Sequence, residues 1–434
     1  MPKIKDGFLV CLSLVLLFGA FGLWAAGQQE AAMEEEKPLD KAVVFVRTGI
    51  EADAIRAVAE EYSKKTGNPV EIMEAGRSGF YATVHTQLIG GSDEFDLAQA
   101  NDVDVGALAA AGAIAPIEPY IYDPKLTDLA AYDLDDFPFV YRYEGKIYTL
   151  PFDVSTHFLY YRSDLIPEPP QTWDEYLATA RKWTKSRNPA SPTTFGASLT
   201  ALAGSEQPKV FYSVMWSYGG WIVDEQCNVG VDSAGAVKAG RFYETLRDEQ
   251  LVAPDIFSWG FSNVLDALKT GVVAMAGPYW NAAYPMIKTS DSPFKDDIRL
   301  TLVPGVRRPD GTIYRTPFQQ GKVLLLNASS KRKVAAWMFL QYLTSKEGTR
   351  IMAKAGGTPA RISVLNDPAM QPSEYYDMMV ASLKIARGDP GPTFYPEQHE
   401  AMNQALSAIV TGTGEVDASL KRAADTIRKL CREQ

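Results

Sequence analysis

Residues 42–98 read AVVFVRTGIEADAIRAVAEEYSKKTGNPVEIMEAGRSGFYATVHTQLIGGSDEFDLA. The opening run, 42–46, is apolar throughout, as a buried strand requires. Thr48 and Glu51 then have the T-x-x-E spacing of a capping box, in which each side chain serves a free N–H at a helix start. Ile55, Val58, Ala59 and Tyr62 follow at i, i+3, i+4 and i+7, and Gly67 supplies a stop. Residues 70–73 read as the next strand. Ser78 opens a second helix with Tyr81, Val84 and Leu88 on one face, and Gly90-Gly91 end it. Residues 95–98 make a third strand. A β-α-β-α-β order means parallel strands joined by right-handed crossovers, so the fold class is α/β. Ligands of such sheets bind beyond the carboxyl ends of the strands. Residues 47–48, 76–80 and 101–102 therefore share one rim.

Working outward, 146–151 and 158–161 are strand-like. Thr172 and Glu175 form a second capping box ahead of Trp173, Tyr176, Leu177 and Ala180. Residues 272–275 read as a short buried strand that leaves the sheet after Gly277. Strands follow at 300–303 and 323–326, a helix at 334–342, and a cap at 344–347. Two amphipathic helices close the chain. Met402, Ala405, Leu406 and Ile409 line one; Val416, Leu420, Ala424 and Ile427 line the other.

The 434 residues suit two domains or a pair of lobes. Lys+Arg is 43 against Asp+Glu 53, so the net charge of −10 speaks against a nucleic-acid partner. Lys3 and Lys5 precede an uncharged run over 8–24 and then Ala25-Ala26-Gly27, which reads as an export signal. Cleavage after residue 27 and retention as a membrane anchor both fit the run. Either outcome places the domain in the periplasm or another extracytoplasmic space. Cys11 follows Val10, which does not suit lipid attachment. Residues 28–40 are polar and acidic, as a flexible tether would be. After export Cys227 and Cys431 could pair in an oxidising compartment, but they stand 204 residues apart with no metal-type neighbours, and two independent thiols are the reading favoured here. Neither CxxC nor HExxH occurs, so no metal or cofactor is expected.

Four longer segments carry a resemblance. They are LPFDVSTHFLYYRSDLIPEPPQTWDEYLATA (150–180), MWSYGGWIVDEQCNVGVDSAGAVKAGRFYETL (215–246), LKTGVVAMAGPYWNAAY (268–284) and FQQGKVLLLNASSKRKVAAWMFLQYLTSKEGTRIMAKAGGTPARISVL (318–365). In this order the chain resembles the extracellular solute-binding proteins of bacterial ABC importers, in the group that binds sugars and oligosaccharides. The resemblance implies a type II periplasmic-binding-protein fold, with two α/β lobes clamping a ligand between them. The three crossings would lie near 150–155, 318–323 and 357–361. Lobe one would then be 41–150 with 323–360, and lobe two 151–322 with 361–434. It also implies a monomer that delivers its ligand to a membrane permease.

A sugar offers an apolar C–H face and a ring of hydroxyls, so its site needs flat aromatics and fixed polar groups. Trp216, Tyr218 and Trp221 flank Gly219-Gly220, either as a stacking cluster or as lobe core. Tyr279 and Trp280 follow the exit of their strand, and Trp280 matches the family's stacking tryptophan. Asp153 falls at the first crossing. Asn101 and Asp102 end the third strand, where a carboxylate could take two hydroxyls or cap a helix. Ser78, Gly79 and Phe80 offer free N–H groups at a helix start. Gln320 and Gly321 fall in the second crossing. Arg361 in the third suits a forked donor to hydroxyls or a salt bridge across the hinge.

Competing functions are weaker. A glycosidase needs a selected carboxylate pair, and no motif selects one. Tyr160 and Tyr161 alternate across a strand, which argues against joint iron ligation. A sensing subunit of a membrane receptor, or a receptor for a solute other than sugar, remains the alternative.

Overall fold

β1 (Ala42–Arg47) is buried over five of its six residues and pairs in parallel with β2 (Val70–Ala75) and β3 (Leu97–Asn101). The computed structural model describes residues 39–433 apart from Arg77, Ser78, Ser205, Glu225, Gln371 and Pro390. The signal reading and nearly all of the tether reading therefore lie outside the described residues, as does the ligand expectation for Ser78. Among the described residues, no helix is long and apolar enough to cross a membrane.

Two long strands carry the sheet onward from β3. They are β6 (Pro151–Arg162) and β12 (Gln319–Leu326). β12 runs antiparallel to β3 along its second half and to β6 along its first, so Lys322 lies opposite both Asn101 and Asp153. The far half of β6 pairs with β8 (Val273–Trp280) on one side and β9 (Ile298–Leu302) on the other. β7 (Phe195–Ser198) joins β8 in parallel. β4 (Tyr141–Tyr143) with β5 (Lys146–Thr149), and β10 (Val306–Arg307) with β11 (Ile313–Tyr314), are small antiparallel ribbons.

Alternation along the strands sorts the core. Val44, Val46, Leu97, Leu324 and Leu326 face one layer with Ile55, Trp337 and Phe339. Val43, Phe45, Ala98, Val323 and Leu325 face the other with Phe80, Val84 and Phe95. Beyond the long strands the same division recurs. Tyr176, Phe211, Trp216, Phe242 and Leu406 form one core, and Phe158, Tyr160, Tyr279, Ile287 and Met379 a second.

Local chemistry moved several expected boundaries. The helix Ile50–Thr66 takes Gly49 as its N-cap without a side-chain bond, because the Glu51 carboxylate pairs with Arg47 at 2.9 Å. The second box does form: Thr172 accepts from Glu175 N–H, and Glu175 accepts in return. Ser345, not Thr344, caps Lys346–Lys354. β8 does not leave the sheet at Gly277 but continues to Trp280. A Cβ at Gly277 would come within 3.0 Å of the Leu159 Cα and the Phe158 carbonyl, so this glycine lets β6 approach.

Cys227 and Cys431 are joined in a disulfide, with Cα atoms 5.9 Å apart, which corrects the reading of two independent thiols. Sequence separation hid the pairing. The C-terminal helix Val416–Arg432 folds back onto Ala234–Asp248, and Arg428 binds Asp232 at 2.7 Å beside the Cys227 loop. A bridge closing so long a loop is worth roughly 2–5 kcal/mol. Replacing both cysteines by serine should lower unfolding stability by about that amount, read by urea denaturation; a loss below about 0.5 kcal/mol would contradict it.

Candidate functional site

The expected lobe division puts 41–150 with 323–360 in a first body and 151–322 with 361–434 in a second; polar residues of the two meet where β3, β12 and β6 run side by side. β3 ends at Asn101, opposite Lys322 of β12, and Asp102 opens the short helical turn Asp102–Asp104. Lys322 donates from Nζ to Asn101 Oδ1 at 2.6 Å, and Gln320 donates from Nε2 to the same oxygen at 2.6 Å. Lys209 in turn donates from Nζ to Gln320 Oε1 at 2.7 Å. Lys209 sits in the helix Gln207–Ser217, all of whose residues are buried, and is itself 5 % exposed. A continuous chain of hydrogen bonds thus runs Lys209–Gln320–Asn101–Lys322 across the cleft.

Asp102 accepts from Tyr141 Oη at 2.9 Å and from Gly321 N–H at 3.0 Å. Any side chain at Gly321 would collide with the Tyr141 hydroxyl, so glycine is what admits that bond. Burial raises the Asp102 pKa in spite of these donors. Asp153 accepts from Thr358 N–H at 2.7 Å; burial, and then Glu51, push its pKa up to about 7. Burial and the neighbouring Lys322 bring Lys209 down to about 8. Burial and then Arg47 lower Lys322.

An ionised Asp153 is thus disfavoured in this arrangement. Its contribution to stability is greatest at low pH and declines as pH rises from about 4, the unfolded value, to the folded value of about 7. Asp153→Asn should flatten that part of the stability–pH curve, measured by thermal melts from pH 4 to 8. An unchanged slope would contradict the assignment.

The two bodies also touch backbone to backbone. A Cβ at Gly106, in the helix Val105–Ala110, would lie 2.6 Å from the Gly391 carbonyl oxygen. Gly391 has φ +58° and rests on Val103. Its loop follows β12, since Arg387 bridges Phe318 and Gln319 N–H donates to the Arg387 carbonyl. In the same loop, Asp389 accepts from Gly391 N–H and Gln398 Nε2.

An aromatic wall lies on the second-body side. Trp216 stacks on Phe318 with centroids 5.7 Å apart and planes 4° apart. Trp280 meets Phe318 edge-on, and His157 lies 4.2 Å from the Trp280 ring. Trp216 is 1 % and Trp280 8 % exposed, so both are wall rather than open platform. His157 Nδ1 is bonded to Ser213 Oγ, and burial lowers the imidazole pKa to about 3.

The structure therefore brings Asn101, Asp102, Asp153, Gln320 and Gly321 together, with Trp280 and Trp216 in the adjoining wall. Other expected ligand residues are elsewhere. Phe80 is core, packed 4.9 Å from Phe45, because it shares the buried face of its helix with Val84 and Leu88; Gly79 stays exposed as the N-cap. Tyr279 points into the opposite core layer, where it donates to the Phe261 carbonyl, since adjacent residues of β8 face opposite ways. Gly219 and Gly220 form a turn pressed against the start of Ala234–Asp248, where a Cβ on Gly235 would strike them. Tyr218 is half-buried; burial and then Asp174 push its pKa to about 12. Trp221 lies on the disulfide-linked loop, bonded to the Asn228 carbonyl and covering Gly230. Arg361 is fully buried, donating to the Thr344 and Asp133 carbonyls and facing Asp136 at 3.4 Å, so of its two readings the salt bridge is the one formed.

Sequence reasoning missed Lys209, Lys322, Tyr141, Asp389 and Phe318. A signal existed for two of them: Lys209 interrupts an apolar helix, and Lys322 stands between Gly321 and an apolar strand. No cluster of metal-ligating side chains occurs among the described residues.

Comparison with known proteins adds context. The family described as bacterial extracellular solute-binding protein matches residues 57–375. The chain is 27 % identical over 380 residues to a "probable amino-acid ABC transporter periplasmic-binding protein" of Sinorhizobium fredii, covering 82 % of this chain and 81 % of that one. It is 25 % identical over 301 residues to the galactooligosaccharide-binding protein of Bacillus subtilis, covering 66 % of each. Maltose-bound MalE3 of T. maritima superposes with a TM-score of 0.76 at 21 % identity, over 90 % of this chain and 99 % of that chain; at that identity the likeness speaks to fold, which is the type II periplasmic-binding-protein fold.

Proposed function

This chain belongs to the bacterial extracellular solute-binding proteins, and on that premise we propose that it is an exported receptor that captures a carbohydrate by lobe closure. It hands the ligand to the permease of an ABC transporter and catalyses no reaction. The observation that carries this reading is the cross-cleft set Asn101, Asp102, Lys209, Gln320 and Lys322, bordered by Trp280 and Phe318. Donors and acceptors at fixed spacing suit a ring of hydroxyls, and the aromatic wall suits a C–H face. A relative named for galactooligosaccharide supports the class of ligand. The lobes are proposed to divide at 150/151, 322/323 and 360/361, with the receptor working as a monomer.

Thermal-shift screening of residues 28–434 against sugars, sugar acids and amino acids tests the ligand class. A ligand at 100-fold excess over its Kd adds about 2.7 kcal/mol. Shifts with amino acids alone would replace the carbohydrate reading, and turnover of a glycoside that co-purifies with the protein would end the non-enzymatic one. For the sugar so found, Trp280→Ala should weaken binding by about 1–3 kcal/mol with the fold intact. Calorimetric titration reads this, and unchanged affinity would remove Trp280 from the site.

A further inference from the structure

Two ammonium groups, one buried on Lys209 and one half-buried on Lys322, have no bonded counter-ion among the described residues. Lys209 enters from the helix Gln207–Ser217 and Lys322 from β12. Each makes one described hydrogen bond, and in each case the acceptor is a neutral carboxamide oxygen. An ammonium carries three donors. A buried charge is costly unless it is paired.

The carboxylates within electrostatic reach are mostly engaged by other donors. Asp102 holds Tyr141 Oη and the N–H groups of Gly321 and Val103. Asp104 holds Asn101 N–H and faces His85. Glu51 is paired with Arg47, and Asp153 holds Thr358 N–H. Asp389 holds Gly391 N–H and Gln398. Glu206 lies near Lys209, yet no described bond joins them. What remains unfilled is donor capacity on two cations, spanned by one Gln320–Asn101 bridge. Lys322 also opposes the charge on Lys209. A hydroxyl could accept a hydrogen bond there but would balance no charge. A carboxylate has one oxygen for each ammonium and relieves their repulsion.

We propose, resting on the carbohydrate reading above, that the ligand is a sugar acid whose carboxylate seats between Lys209 and Lys322 in place of the Gln320–Asn101 bridge. Arg47 and its partner Glu51 border the same floor, and the aromatic wall receives the sugar ring.

The test is calorimetry on residues 28–434 with D-glucuronate, D-galacturonate and their linked dimers, each beside its neutral counterpart. At least one acid should bind about ten-fold or more tightly than its neutral partner, with affinity falling as salt rises. Lys209→Met and Lys322→Met should each weaken the acid about ten-fold or more, and weaken it several-fold more than they weaken its neutral counterpart. Lys209→Arg and Lys322→Arg, which keep the charge, should recover part of the loss, and melting temperatures would report whether each variant is folded. Equal or tighter binding of the neutral sugars would overturn this inference and leave the carbohydrate reading standing. Acid affinity untouched in both folded methionine variants would do the same. If neither acids nor neutral sugars bind, both readings fall together.

Discussion

Arg361→Ala should cost about 3–5 kcal/mol of unfolding stability, the usual loss when one partner of a buried ion pair is removed. The guanidinium is wholly buried and sandwiched by Phe137 and Tyr132, with its charge 4.1 and 5.0 Å from their ring centroids. It satisfies the carbonyls of Thr344 and Asp133 and faces the buried Asp136 carboxylate. Alanine leaves those acceptors unmatched and a carboxylate whose remaining described partners are the N–H and hydroxyl of Ser363. Arg361→Lys should recover only part of the loss, because an ammonium cannot reproduce the planar fork. Urea unfolding measures both. A loss below about 1 kcal/mol for alanine would show that the site relaxes around the vacancy, contrary to this account.

Gly106→Ala should move stability and ligand binding in opposite directions. Inside a helix, alanine is favoured over glycine by roughly 0.5–1 kcal/mol, so the fold should be as stable as the parent or more so. The new methyl group would nevertheless lie 2.6 Å from the Gly391 carbonyl oxygen whenever the two bodies meet as they do here. If ligand is held only by the closed form, the clash lowers affinity by the free energy needed to relieve it. A loss of about ten-fold or more is expected in calorimetry. Gly106→Val, with more bulk at the same point, should lose more. Unchanged affinity in both variants would mean that the Gly106–Gly391 contact has no part in binding.

How much of this could be read beforehand follows from which interactions are local. The parallel strands at 42–98 and the Thr172–Glu175 box are short-range patterns, and they formed where expected. The Thr48–Glu51 spacing was equally local but gave way to Arg47, a charged competitor at the strand end. Asn101, Asp102, Gln320 and Gly321 converge because β3 and β12 pair across more than two hundred residues; the rim argument pointed to the first two and the family resemblance to the other two. Lys209 was missed as a cleft residue because its helix is buried on every face, so the one lysine did not by itself mark which face meets the cleft. Tyr279 beside Trp280 shows the limit of reading an aromatic doublet. Alternation sends one to the wall and the other to the core, and the doublet alone does not say which. The disulfide depended on how the last helix packs, which no spacing rule reaches.

The central claim is that a carbohydrate is gripped by both bodies at once, across β3, β12 and the Gln207–Ser217 helix. Hydrogen exchange of residues 28–434, with and without the saturating sugar chosen by thermal shift, tests it most directly. The account predicts that protection rises together over 100–106, 206–210, 318–323 and 388–392. Protection confined to one body, or appearing away from these segments while the sugar is bound, would contradict it.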